Sequence, residues 1–138
     1  MDAYSLVELA PTVEEYQALR IAVGWGEADA GATQKSVQNS LYWVCTLKQK
    51  HVIGCGRVIG DGGLCFYVHD LSVLPSYQGQ GLGRCMMEKI MDYLQANAHQ
   101  GGFVGLMAAK GASSFYLKYG FVERPAPDYG PGMILFWK

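Results

Sequence analysis

A chain of 138 residues that is half hydrophobic and 17% charged has the length and make-up of one globular domain, 1–138, and excludes wholesale disorder. Its formal net charge of −1 offers no basic field to a nucleic-acid backbone, and no apolar run approaches the ~20 residues of a membrane span. The N-terminal stretch carries early acids and no apolar signal-peptide core, which points to a cytoplasmic protein.

Tyr4–Leu9 alternates like a short first strand. Pro11-Thr12-Val13-Glu14-Glu15 opens a helix, with Thr12 and Glu15 at capping-box spacing. Tyr16, Leu19 and Val23 give that helix one apolar face, and Gly24-Trp25-Gly26 ends it. Glu27–Gly31 reads as a loop and Thr33–Ser40 as a second short helix. Leu41–Leu47 and Val52–Ile59 are β-rich runs joined by Lys48-Gln49-Lys50, a hairpin pattern. Asp61-Gly62-Gly63 is a second turn, leading into a third such run, Cys65–Leu74.

Gly83–Ala98 carries the strongest helical signal, with Met87, Met91, Leu94 and Ala98 on one face and Glu88, Lys89, Asp92 and Gln95 opposite. Phe103–Met107 reads as a short strand and Ala112–Tyr119 as a helix stopped by Gly120. Phe121–Glu123 and Met133–Trp137 read as closing strands around the loop 124–132. The order β, α, α, β, β, β, α, β, α, β, β predicts an α/β (α+β) protein with a mixed sheet and helices on both faces. Cys45, Cys55, Cys65 and Cys85 form no C-x-x-C pair and read as buried free thiols in a reducing compartment. His51, His69 and His99 are too scattered to signal a metal, so none is expected.

Chemistry concentrates in the stretch from Val68 to Arg84, a strand, a glycine-rich turn and then the strong helix. Such a turn leaves backbone N–H groups unpaired at the positive end of a helix dipole, ready for a phosphate. Arg84 at the helix start opposes the dipole, so an anionic ligand explains it better than helix stability does. No Gly-Lys-Ser/Thr follows, which excludes a P-loop, and Gly79, Gly81 and Gly83 do not meet the dinucleotide fingerprint.

Two signatures together carry a resemblance. Gln78, Gly81 and Gly83 meet the loop pattern Gln/Arg-x-x-Gly-x-Gly/Ala; Ala112, Tyr116, Lys118, Gly120 and Phe121 meet the later Ala-x-x-x-Tyr-x-Lys-x-Gly-Phe. In these, over about residues 41–124, the chain resembles the GNAT superfamily of acyl-CoA-dependent N-acetyltransferases. The run from Asp70 to Gly83, with Val23-Gly24-Trp25 and Gly132-Met133, is similar to the plant and cyanobacterial arylalkylamine (serotonin) N-acetyltransferase group.

The resemblance implies a mostly antiparallel sheet of about six or seven strands and acetyl-CoA as co-substrate. Gln78, Gly79, Gln80, Gly81, Leu82, Gly83 and Arg84 would receive its pyrophosphate. Leu71, Ser72 and Val73 would lie beside the pantetheine arm, and Phe115 and Lys118 would complete the coenzyme site. Tyr116 matches the family's general acid, and an ordinary phenol pKa near 10 keeps it protonated at neutral pH. Ala109 stands where many members have an asparagine that contacts pantetheine, so one side-chain contact is missing.

For the base, Asp70 interrupts an apolar strand, and partial burial would raise its pKa. It reads as base or amine anchor. His69 competes with it, and in an unbroken strand the two point to opposite faces. Trp25, Tyr77 and Tyr129 are further candidates to line the acceptor site. Cys85 beside Arg84 could be an activated thiol, but direct attack in a ternary complex needs none. The expected activity is acetyl transfer to a small primary amine, with no nucleic-acid or membrane partner. A homodimer is compatible with the resemblance, its closing strands pairing across a two-fold. An idle acyl-CoA sensor and a protein or peptide N-acetyltransferase remain as alternatives.

Overall fold

The computed structural model describes residues 4–138; the first three, where the acid-bearing N-terminus opens, lie outside the described residues. β1 covers Tyr4–Val7 and α1 covers Val13–Ala22. The start of α1 is fixed by the predicted capping box: Thr12 Oγ1 accepts from the Glu15 amide at 3.1 Å, and Glu15 Oε1 accepts from the Thr12 amide at 2.8 Å. α2, Ala30–Gln38, starts three residues earlier than the sequence suggests. Asp29 caps it, accepting from the Ala32 amide at 2.9 Å, within what reads as loop.

β2 (Tyr42–Lys48) and β3 (His51–Gly60) form the expected hairpin. Its two turn residues, Gln49 and Lys50, have φ of 50° and 70°, the left-handed pair that matches strand twist. At the next turn Asp61 Oδ1 accepts from the amides of Gly63, Leu64 and Cys65, and β4 (Cys65–Val73) follows. A 3₁₀ turn, Pro75–Tyr77, leads through the glycine loop into α3 (Leu82–Asn97), then β5 (Phe103–Gly105) and α4 (Ser113–Leu117).

The sheet runs β1-β2-β3-β4-β5, antiparallel except for the parallel pair β4–β5. Alternation along β2 and β3 sends Trp43, Cys45 and Cys55 into a core with Tyr16 and Leu19 of α1 and Val37 of α2. The other face takes α3 through Met86, Met87, Ile90 and Leu94, all buried. Gly54 and Gly56 stand under α3. A Cβ at either would come within 3.0 Å of the side chains of Met86 or Ile90, so their absence lets the helix sit close to the sheet.

The described chain parts into two compact units, the first ending at Leu106 and the second running Met107–Lys138. The second contains α4, a stop at Gly120 with φ of 93°, and a loop held by an isolated bridge between Ala126 and Tyr129. Three expectations need correction. Among the described residues the sheet has five strands rather than six or seven, because Phe121–Glu123 and Met133–Trp137 form no ladder there. Their residue types favour strands, but a strand exists only where a neighbour supplies the hydrogen bonds. All four cysteines are free, yet only Cys45 and Cys55 are buried; Cys65 is exposed and Cys85 partly so. Burial pushes the Cys45 thiol up to about 12.

The capping box makes a direct prediction. Thr12→Ala lowers unfolding free energy by about 1 kcal/mol in urea titrations, without changing the slope of the transition.

Candidate active site

The glycine loop follows from how β4 ends. Leu74 donates to the Ile53 carbonyl, the 3₁₀ turn closes through Tyr77 onto Leu74, and Gln78 Nε2 donates back to the Val73 carbonyl at 2.9 Å. From there Gly79 and Gly81 both take φ of 82°, a conformation that costs other L-residues about 1 kcal/mol or more. Among the described residues no acceptor takes the amides from Gly79 to Arg84; the Cys85 amide is the first to return to the helix ladder, onto Gly81. A Cβ at Gly79 or Gly83 would meet nothing within 4 Å. The loop is thus a row of unpaired donors at a helix N-terminus with open space in front of it. Arg84 is exposed and only loosely paired with Glu88, at 3.8 Å.

The loop is anchored from the N-terminal side. Tyr4 donates to Gln80 Oε1 at 2.7 Å, Tyr4 and Tyr77 meet edge to face at 6.3 Å, and the Lys48 ammonium lies over both rings at 5.4 and 5.2 Å. Tyr77, an acceptor-site candidate, therefore sits in an aromatic clamp on the loop. On the other side, β5 pairs with β4 only from Cys65 to Tyr67. Val68–Val73 has no strand on that edge among the described residues, so the main chain of Leu71, Ser72 and Val73 is open there.

Asp70 stands at a break in β4. Residues 55 and 57 of β3 pair with 72 and 69, so Asp70 and Leu71 together oppose Gly56. Asp70 takes φ of 60°, and this left-handed residue overturns the expected alternation. His69 and Asp70 converge, with Nδ1 3.0 Å from Oδ2. The same oxygen accepts from the Tyr16 hydroxyl at 2.6 Å and from Arg57 Nε at 2.8 Å. Arg57 Nη1 donates to the Ser36 hydroxyl at 2.7 Å and the Ser40 hydroxyl at 3.0 Å, tying the end of α2 to the break.

The expected rise in the Asp70 pKa is also corrected. Burial pushes it up, but His69, Tyr16 and the Arg57 charge together outweigh burial and hold the carboxyl below its usual range. Burial and Asp70 in turn push the Tyr16 phenol up to about 12. The Asp70 side chain is 1% exposed and that of His69 40%. Tyr16, Arg57, Ser36 and Ser40 were missed in the sequence. Arg57, a lone charge within the apolar run Val52–Ile59, was the available signal, since a buried cation demands a partner.

In the second unit Tyr116 lies on α4, half-buried between Phe115 and Phe121, with ring centroids at 5.0 and 6.0 Å. Burial raises its pKa, so the phenol keeps its proton at neutral pH. Phe115 also packs on Tyr119, and Lys118 is exposed. Trp25 is exposed at 42% in the first unit, and Tyr129, under the Arg124 guanidinium, is exposed in the second.

The sequence pattern of the acetyltransferase (GNAT) domain matches residues 38–123. The chain belongs to the GNAT acetyltransferase family. A protein of unknown function and probable acetyltransferase from meticillin-resistant Staphylococcus aureus is 39% identical, superposes with a TM-score of 0.89, and covers 97% of this chain and 99% of its own. A chloroplastic GCN5-related N-acetyltransferase from Arabidopsis thaliana is 28% identical over 91% of the chain, and a histone acetyltransferase from Glycine max 31% identical over 91%. The chain spans 63% and 56% of the lengths of these two plant proteins.

GNAT acetyltransferases use acetyl-CoA, and the residues present fit it: the free amides from Gly79 to Arg84 would be the ones to hold its diphosphate. None of the described helices is long and apolar enough to cross a membrane. For this GNAT protein the depressed Asp70 pKa sets a pH dependence of stability. The carboxylate's contribution is present above the ordinary value near 4 and is lost as pH falls through its lower folded value. Asp70→Asn is therefore less stable than wild type at pH 7, and the gap narrows in urea titrations taken from pH 5 downward.

Proposed function

We propose that this protein transfers the acetyl group of acetyl-CoA to a small primary amine by direct attack in a ternary complex, in the cytoplasm. The observation that carries this reading is the run of free amides from Gly79 to Arg84 beside the open edge of β4. Gln78, Gly79, Gln80, Gly81, Leu82, Gly83 and Arg84 hold the diphosphate. The main chain of Leu71, Ser72 and Val73 runs along the pantetheine arm, and Phe115 and Lys118 complete the coenzyme site. Bound there, the coenzyme supplies an acetyl group activated as a thioester.

The chain's own residues manage the protons. His69 and Asp70 at the β4 break relieve the ammonium of its proton, and Tyr116 holds the proton that the departing thiol needs, which its raised pKa supports. Leu71 and Val73 amides polarise the carbonyl that is attacked. Trp25, Tyr77 and Tyr129 supply aromatic surface for the acceptor, in keeping with an arylalkylamine. A protein lysine is the second reading, favoured by the name of the Glycine max relative.

Thiol release from acetyl-CoA with arylalkylamines, polyamines, amino acids and histone peptides tests both readings. Turnover on a small amine is expected, and turnover confined to peptides replaces it with the second reading. Tyr116→Phe lowers kcat roughly 100-fold with the KM for acetyl-CoA little changed. Gly79→Val raises that KM about tenfold, a loss of about 1.4 kcal/mol, with the fold intact by circular dichroism. Acetyl-CoA binding without turnover on any acceptor would contradict the enzyme reading and point to a sensor.

A further inference from the structure

We propose that His69 is the group that takes the proton of the amine, and that Asp70 is a positioning residue that holds the His69 proton on Nδ1 and leaves the Nε2 lone pair for the acceptor. This deepens the acetyltransferase reading and rests on it. The bulge makes the arrangement: the left-handed Asp70 brings two consecutive side chains to one place, where an ordinary strand would part them.

Asp70 itself is sealed. Oδ2 is taken by Tyr16, Arg57 and His69, while Oδ1 is buried without a partner. A carboxylate so enclosed does not touch an incoming amine. The imidazole does: its side chain is 40% exposed, and Nε2 has no partner among the described residues. Such a ring becomes a directed base when a second group fixes its other nitrogen.

Two groups compete for that nitrogen. Nδ1 lies 3.0 Å from Asp70 Oδ2 and also 3.0 Å from Arg57 Nη2. A guanidinium only donates, so pairing with Arg57 would need a bare Nδ1 and would move the proton to Nε2. Arg57 is held without the ring by Asp70, Ser36 and Ser40. The buried carboxylate has only Tyr16 and Arg57 as other donors, both on one oxygen. The anion is the less satisfied partner, and it draws the Nδ1 proton. When Nε2 accepts the amine's proton, the imidazolium stands against Asp70 and its charge is met.

The groups facing this pair are Arg57 and Cys55 from β3, Tyr67 from β4 and Tyr16 from α1, with Arg20 behind Tyr16. Ser36 from α2 and Ser40 just after it do not titrate.

Nitrogen-15 NMR of the histidine rings at pH 7, with His69 assigned by loss of its signals in His69→Gln, reads the tautomer directly. The expected result is a protonated Nδ1 and a bare Nε2 in wild type, with the proton moved to Nε2 in Asp70→Asn. In the pH–rate profile Asp70→Asn loses roughly 100-fold in kcat with less than a twofold change in the KM for acetyl-CoA. His69→Gln loses the acid limb. Tyr16→Phe, which keeps the ion pair and the fold, retains the wild-type tautomer and shifts the acid limb. An Nε2-protonated ring in wild type, or an unchanged acid limb in His69→Gln, overturns the proposal. Wild type that turns over no acceptor overturns the acetyltransferase reading instead, and the tautomer still decides the role of Asp70.

Discussion

The Arg57–Asp70 ion pair is the constraint on which the first unit turns. Two opposite charges are buried at 2.8 Å between the sheet and the helices α1 and α2, and removing either partner leaves an uncompensated charge, a loss on the order of 3–5 kcal/mol. Replacing both by apolar residues would cost far less, so stability alone does not account for the pair. What it provides is geometry. Asp70 draws donors from α1, β3 and β4 onto one oxygen, and Arg57 reaches on to the end of α2. The bulge that seats Asp70 falls in the part of β4 beyond Tyr67, where the pairing with β5 has already ended.

The glycine loop depends on that same strand for its position but works by an opposite principle. Asp70 is defined by the number of its partners, and the loop by amides that have none. Nine residues past Asp70, Gly79 begins a stretch in which left-handed glycines keep the backbone out of the helix ladder until Cys85. Lys48, Tyr4 and Tyr77 hold this stretch by ring contacts and use none of its N–H groups. A β4 of altered register would displace both features together, which ties the placement of the free amides to that of His69.

Local signals were legible in the sequence. The capping box at Thr12 and Glu15, the hairpin around Lys48-Gln49-Lys50 and the helical period of α3 depend on neighbours a few residues away. The face of α3 that is buried, though, runs through Met86, Met87, Ile90 and Leu94 rather than through Met91 and Ala98. The glycine loop was legible for the same reason. The Asp70 environment was not, because its partners Tyr16 and Arg57 come from 54 and 13 residues away. Nothing in the local sequence marks a left-handed residue inside an apolar strand, though aspartate is among the few that tolerate it. Arg57 showed that a buried charge needed a partner without naming which. Met133–Trp137 failed in the other direction: its composition was that of a strand, but the ladder partner is not a property of the segment.

The central claim is that the amides from Gly79 to Arg84 receive the coenzyme. Titrating acetyl-CoA into uniformly nitrogen-15-labelled protein, and following the backbone amide resonances, tests it without any knowledge of the acceptor. The account predicts saturable shifts largest at Gly79–Arg84, with a second set along Leu71–Val73 on the open edge of β4. Saturable binding whose shifts leave those amides unmoved, or no binding at all, would contradict it.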